Sequence, residues 1–582
     1  MRAVRLLGNL RLAAAAAVIH LSDDPVLLVL QISRRMPSGL VRRVAGAAGR
    51  LAAIPGANLP VAEALSAQLL GRTSSLTSAL RRSSAEPVRA GVARRLADVA
   101  LAAGMTDEAD ALLGLAGSGS TTAGVRARRR WYDGDMTGAV RVLRQAGRTR
   151  HAERLAGEVR VFEGWHPTLP AVEGYVPEDD TVLHLLTNSL PHTGSGYAQR
   201  THSLLKAQSE NGWTVHAATR VGYPVQVGKL LANAVDELDG VRYHRLLPVS
   251  MARGYDQRLQ QQAEELLRLA LEVKPAVLHT TTPFVNGIVT EQVARALAIP
   301  WVYEARGQLA DTWAANRPAH VKASERYKLF TDREAQVMRR ASLVVTLGEA
   351  MKRGIMRSGI PQDKVLLSPN GVGEEFLEEP VPAAAARDRV GLPTKGIFVG
   401  TVSSLVDYEG LDTLLRAVAL LVPSNPELRC LIVGDGSAAP ALRSLAQELG
   451  ISSSVTFAGR VPRHQARSFH QALDIFVVPR RDLEVTSAVT PLKPVEAMAC
   501  ARPVVASDLP ALREIISHGV TGLLVDPENP ATLAAAIKHL MDHEEERTGF
   551  GARGREIVLA TRTWARNASQ LAGAYKELEL SS

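Results

Sequence analysis

The chain has 582 residues, 46% of them apolar and 22% charged, with a net charge of +9 and two cysteines. That length exceeds what one core supports, and at about 150 residues per domain it predicts three or four domains. The composition excludes disordered, collagenous and disulfide-stapled chains, and Cys430 and Cys500, both in apolar surroundings, suit a reducing compartment.

Residues 1–175 hold 24 Arg, no Lys and 14 acidic residues, a net +10, whereas the remainder holds 44 basic and 45 acidic residues, a net −1. The basic character therefore belongs to an N-terminal α-helical module, residues 1–163. Its apolar stretch LRLAAAAAVIHLSDDPVLLVLQ is broken by Asp23, Asp24 and Pro25, so neither piece reaches the ~20 residues of a membrane span. With arginines on both sides, the pieces fit a membrane surface or core helices equally. Without a small-residue cleavage site, a cytoplasmic protein is expected, peripheral at the inner face of the plasma membrane if the module attracts anionic lipid. Few aromatics interleave with these arginines, which argues against nucleic acid. From Leu51 to Arg160 the apolar residues recur at helical spacing, and Gly104 and Gly147 punctuate pairs that resemble worn tetratricopeptide-type repeats.

GWHPTLPAVEGYVPEDD (164–180) reads as a linker. Strands and helices then alternate through 181–378, from TVLHLLT to TVHAATR, KPAVLHTTT, PWVYEAR and SLVVTLG. After a linker at 379–394, a second such unit spans 395–560, with GIFVGTV, LRCLIVGDG, VTFAGRV, DIFVVPR and RPVVASD as strands. Alternation with continuous apolar strands predicts parallel sheets covered by helices on both faces. The fold class expected is α/β, two Rossmann-like domains facing across a cleft behind the helical module. Residues 561–582 form a terminal helix.

The segment VTPLKPVEAMACARPVVASD (489–508) carries the sharpest chemistry. Thr490 as N-cap and Pro491 as first residue place Lys493 in the first turn of a helix, where a cation is unfavourable by about 0.3–1 kcal/mol. Two readings stand: an i,i+3 ion pair with Glu496 on a surface helix, or an anion site in which Lys493 meets phosphate and Glu496 accepts hydrogen bonds from sugar hydroxyls.

Seven ordered motifs, TGSGYAQRTHSLL, ASLVVTLGEAMKRGI, VLLSPNGVGEEF, YEGLDTLLRAV, LIVGDG, VTFAGRVP and PLKPVEAMACARPVVASDLPALREII, make residues 181–577 resemble the GT-B glycosyltransferases of family 4, in a PLK-type variant. That resemblance implies a retaining enzyme using a UDP- or GDP-linked sugar, with no permanently bound cofactor and no metal, and a cell-envelope glycan or glycolipid as acceptor. It implies that Lys493, with Thr490, Pro491 and Leu492, binds the donor diphosphate and that Glu496 holds the ribose. The terminal helix would pack back on the first domain. Ala488 stands where the family commonly has another glutamate, and Glu484 is out of register with it. The family's arginine and lysine after the first strand of the second domain are replaced by Ser404 and Glu409. Arg306, following a strand of the first domain, is the expected substitute, its alternative being an ion pair with Glu304; Arg480 and Arg481 stand in reserve.

Gly194 and Gly196 are expected at the donor phosphates or merely in a tight turn, and Asn370 at the donor or merely in a turn at the domain junction. Arg460 and Val461 are expected at the base. His279 and Glu484 are expected at acceptor or sugar, and Glu514 either orients the donor side or caps its helix. Two other functions stay open, a nucleotide-sugar epimerase and a non-catalytic scaffold with a decayed site.

Overall fold

The computed structural model describes residues 6–15, 33, 38–52, 59–315 and 317–580. Most of the apolar stretch at 10–31 lies outside them. Among the described residues no helix is long and apolar enough to cross a membrane.

The first Rossmann-like sheet has eight strands: β1 (Glu178–Leu186), β2 (Thr214–Thr219), β3 (Val235–Leu238), β4 (Val241–Arg245), β5 (Pro275–Thr281), β6 (Trp301–Ala305), β7 (Leu343–Thr346) and β8 (Val365–Leu367), ordered β3-β4-β2-β1-β5-β6-β7-β8. Only β3 and β4 pair antiparallel. The second sheet comprises β9 (Ile397–Val402), β10 (Leu428–Val433), β11 (Val455–Gly459), β12 (Ile475–Val478), β13 (Val504–Ser507) and β14 (Gly522–Val525), ordered β11-β10-β9-β12-β13-β14. Central strands such as β5 and β12 are buried at every residue, as continuous apolar runs in parallel sheets require. Strand order reverses at β1/β5 and β9/β12, and ligands of such sheets bind beyond the carboxyl ends at these switch points.

Helices Ser38–Ala52, Pro60–Leu69, Thr73–Ala85, Ala90–Ala102, Thr106–Leu115, Ala123–Tyr132, Met136–Gln145 and Thr149–Glu163 form the N-terminal module. Leu76, Leu80, Leu96 and Leu112 make a core of their own among the earlier ones. The last three share the first sheet's core, where Met136, Leu143, Val159 and Phe162 meet Phe284, Ile288 and Val293. The composition shift at 163 thus marks a change of secondary structure inside a continuous core. Phe162 packs edge-on against Phe284 and Phe330, with ring centroids 5.2 and 5.7 Å away, and the Arg326 guanidinium lies over Trp131, Phe162 and Trp313. Phe162→Ala is therefore expected to cost about 3–5 kcal/mol. It should lower the melting temperature and speed proteolytic release of the module; an unchanged melt counts against this weld.

The C-terminal helix, Trp564–Leu580, lies on the first domain, where Ala568, Leu571 and Tyr575 join the cluster of Leu204, Leu205 and Trp213.

Candidate functional site

The helix carrying Lys493 runs Lys493–Ala499, two residues later than expected, with Pro494 in its first turn. Tertiary contacts explain the delay. Asn370 Nδ2 donates to Thr490 O at 2.9 Å, and Thr490 Oγ1 lies 3.5 Å from Leu347 O, so Thr490 contacts the first domain instead of capping. Val489 and Leu492 pack against apolar clusters of that domain, and Pro491 is buried. The segment VTPL is the seam between domains.

Lys493 Nζ donates to Glu496 Oε2 at 2.8 Å, and His470 Nε2 lies 3.3 Å from the same oxygen. Burial opposes ionisation of Glu496, but the Lys493 charge and the His470 contact outweigh it and hold the carboxyl down to about 2. Burial pushes the His470 imidazole below its ordinary range, against the pull of Glu496. His470 is then a neutral imidazole beside a permanent carboxylate. Sequence reasoning missed it, since one histidine in RSFHQA carries no spacing signal. Lys493 is 38% exposed, so the amine is free to swing towards an anion in the cleft.

The expected second cation is corrected. Arg306 is buried and donates to Glu304 Oε2 and Thr201 Oγ1, so its ion-pair alternative holds and its charge does not face the cleft as a free group. Glu304 takes Arg200 as well, through Nη2 at 2.7 Å and Nε at 3.2 Å. Arg200 continues to Ser368 O, Pro369 O and Asn370 Oδ1, which lies 3.1 Å from it. A buried polar chain thus runs from Glu304 through Arg200 and Asn370 to Thr490. His279 is corrected too: it is fully buried, with Nδ1 on the Tyr575 hydroxyl and Nε2 3.6 Å from Glu304, so no face of it reaches an acceptor.

At the β9/β12 switch point, Arg480 donates to both oxygens of Glu409, at 3.1 and 2.8 Å, and to Val489 O at 3.0 Å. The carboxylate standing in the family's cation position is therefore matched by a cation from the neighbouring strand. Arg481 pairs instead with Asp407 and Asp412.

Other expected residues face across the seam. A Cβ on Gly194 would lie 3.5 Å from Arg460 Nη2, whereas nothing approaches Gly196, which opens helix Gly196–Glu210 behind its cap Ser195. Arg460 is exposed and Val461 packs beside the second domain's core. Glu484, exposed, pairs with Lys322 of the first domain at 2.6 Å, which makes it a surface strut and not a sugar contact. Glu514 does more than cap its own helix. Its carboxylate accepts from the amides of Glu349 at 2.8 Å and Ala350 at 2.6 Å, capping helix Glu349–Arg357 of the opposite domain. A Cβ on Gly348 would collide with that carboxylate, so close approach requires glycine there. Glu514→Ala removes a cap worth about 1 kcal/mol, and the opening of the seam should appear in solution scattering as a larger radius of gyration. An unchanged radius contradicts this.

Residues 195–371 match the family model described as Glycosyl transferase 4-like domain, and residues 383–557 that described as Glycosyl transferases group 1. A stretch of 229 residues is 33% identical to D-inositol 3-phosphate glycosyltransferase of Thermobispora bispora, covering 37% of this chain and 51% of that protein. Another of 233 residues is 31% identical to GDP-mannose-dependent alpha-(1-6)-phosphatidylinositol monomannoside mannosyltransferase of Mycobacterium tuberculosis, covering 39% and 60%. The chain spans about half the length of the curated relatives it matches. Among solved structures, sucrose-phosphate synthase of Thermosynechococcus elongatus aligns with a TM-score of 0.57 and 23% identity over 69% of this chain and 100% of that one. Anabaena HepE in complex with UDP aligns with a TM-score of 0.54 and 17% identity over 68% and 100%. At such identities these two likenesses establish the fold alone. Residues 195–557 thus carry in tandem a domain of the Glycosyl transferase 4-like family and one of the Glycosyl transferases group 1 family, each built on its own parallel sheet, the two meeting at the VTPL seam in a GT-B fold.

Proposed function

We propose that the protein transfers a sugar from a nucleoside-diphosphate sugar to a glycolipid or cell-envelope glycan, retaining the anomeric configuration and using no metal. One observation carries the reading: a part-exposed lysine beside a largely buried, ionised glutamate at the domain seam. A diphosphate draws Lys493 away from Glu496. Both contacts of the carboxylate fall on Oε2, which leaves Oε1 to accept from the ribose hydroxyls.

As the bond from the anomeric carbon to the β-phosphate oxygen breaks, charge grows on that phosphate, and Lys493 stabilises it. The acceptor oxygen attacks from the same face and its proton passes to the departing phosphate, so no protein nucleophile is required. Val489 and Leu492, packed on the first domain, keep water from the seam. Relatives named for inositol phosphate and for a phosphatidylinositol mannoside support a glycolipid acceptor.

A thermal-shift screen of UDP-, GDP- and ADP-sugars tests the donor half, because a bound donor stabilises the fold by RT ln(1 + [L]/Kd). A rise of several degrees with one nucleotide, lost in Glu496→Ala, is expected. No rise with any of the three, together with no transfer from them, ends the reading.

A further inference from the structure

The first described helical segment, residues 6–15, does not sit with the rest of the basic module. Asn9 Nδ2 donates to Leu230 O at 2.8 Å and Ala232 O at 3.2 Å, and Leu12 is buried against Val225 and Ala232, with Leu247 and Met251 beside them. The segments it joins are the loops leaving the carboxyl ends of β2 and β4, on the rim of the cleft at the first sheet's outer edge.

Large apolar side chains point outward across all three pieces: Leu7 is 62% exposed, Leu231 84% and Val249 79%, and Leu6 and Leu10 are exposed beside them. Single exposed leucines are ordinary, but a cluster on adjoining loops marks a surface built to be covered. The charges there have one sign. Residues 6–15, 225–235 and 246–255 contain Arg11, Lys229 and Arg253, all exposed, and no Asp or Glu. In the helical repeats some arginines are paired internally, Arg81 with Glu108, Arg82 with Glu63, and Arg129 with Asp110 and Asp133, and among the described residues no comparable cluster of exposed large apolar side chains accompanies the rest.

We infer that this patch, and not the arginine-rich repeats, seats the protein on an anionic lipid bilayer, with Leu7, Leu10, Leu231 and Val249 entering the interface and Arg11, Lys229 and Arg253 meeting the headgroups. The combination of shallow apolar insertion and cations suits an anionic interface, and the absence of carboxylates removes repulsion from it. The position on the first domain's rim of the cleft brings a lipid-linked acceptor to the cleft mouth. That consequence rests on the proposed transfer, whereas the seating itself does not.

The test is flotation of the full chain with phosphatidylglycerol–phosphatidylcholine vesicles and with phosphatidylcholine alone. The wild type is expected to float with the anionic vesicles and weakly with the neutral ones. Leu231→Asp/Val249→Asp should reduce the bound fraction about tenfold or more, and Lys229→Glu/Arg253→Glu should do so at low salt. All four positions are exposed, so circular dichroism and the donor-induced thermal shift should remain as in the wild type. If both variants float like the wild type, or if the wild type ignores anionic vesicles, the inference fails. It fails equally if the wild type forms a concentration-dependent dimer that Leu231→Asp/Val249→Asp abolishes, since a second copy then covers the patch. Vesicle binding without any donor-induced shift would instead retire the proposed transfer and leave the seating intact.

Discussion

Lys493→Ala is expected to lower turnover by about two to three orders of magnitude while leaving the protein folded. Removing one preorganised group aimed at developing negative charge costs on this scale, and here few other cations are free to compensate. Arg306 is bound to Glu304, Arg480 to Glu409 and Arg481 to Asp407 and Asp412. The effect on folding is more modest: the lysine itself is 38% exposed, but its loss leaves the largely buried Glu496 carboxylate without its cation, at a cost of about 1–3 kcal/mol. Steady-state kinetics with the donor found in the thermal screen, beside a urea titration, separates the two. Lys493→Arg should recover part of the rate, since the charge returns with a different reach. A turnover within threefold of wild type in Lys493→Ala would falsify the assignment of the phosphate charge to this lysine.

The strands were legible because parallel sheets bury both faces: DIFVVPR contains β12 and KPAVLHTTT contains β5. The start of the Lys493 helix was less so. Pro491 and Pro494 both suit a first turn, and the choice between them is made by Asn370, 120 residues away from Thr490. The same limit hid the role of Glu514. Capping rules look at sequence neighbours, and this carboxylate caps a helix 165 residues earlier, on the other domain. Arg306 is the converse case. Its partner Glu304 stood two residues away, in plain view, and local pairing won over exposure to the cleft because Arg200 arrives from the opposite side to complete a buried cluster. The composition shift at residue 163 was visible, but helical periodicity tells which face is buried and not against what, so the shared core of Phe162 and Phe284 was not.

That buried cluster carries the other large effect: Glu304→Gln is expected to destabilise the protein by about 3–5 kcal/mol at neutral pH, the usual cost of breaking a buried ion pair. Glu304 is fully buried and is shared by two guanidinium groups. A neutral amide leaves both cations without a counter-charge. Peptide oxygens at Ser368 and Pro369 still serve Arg200, and Thr201 still serves Arg306, which bounds the loss. The pH dependence distinguishes this from a packing defect. Burial opposes ionisation of Glu304, but Arg306 and Arg200 outweigh it and hold the carboxyl well below its usual range. A depressed folded value means the contribution is complete above the unfolded value, about 4.3, and is lost as pH falls towards the folded one. The difference in urea midpoint between wild type and Glu304→Gln should thus be constant from pH 8 to about pH 5 and shrink below about pH 4. Because Arg200 also holds Asn370, and Asn370 holds Thr490, the variant should bind donor more weakly even where it is fully folded. Equal midpoints at pH 7, or a difference that does not shrink in acid, would show that the two arginines do not depend on this carboxylate.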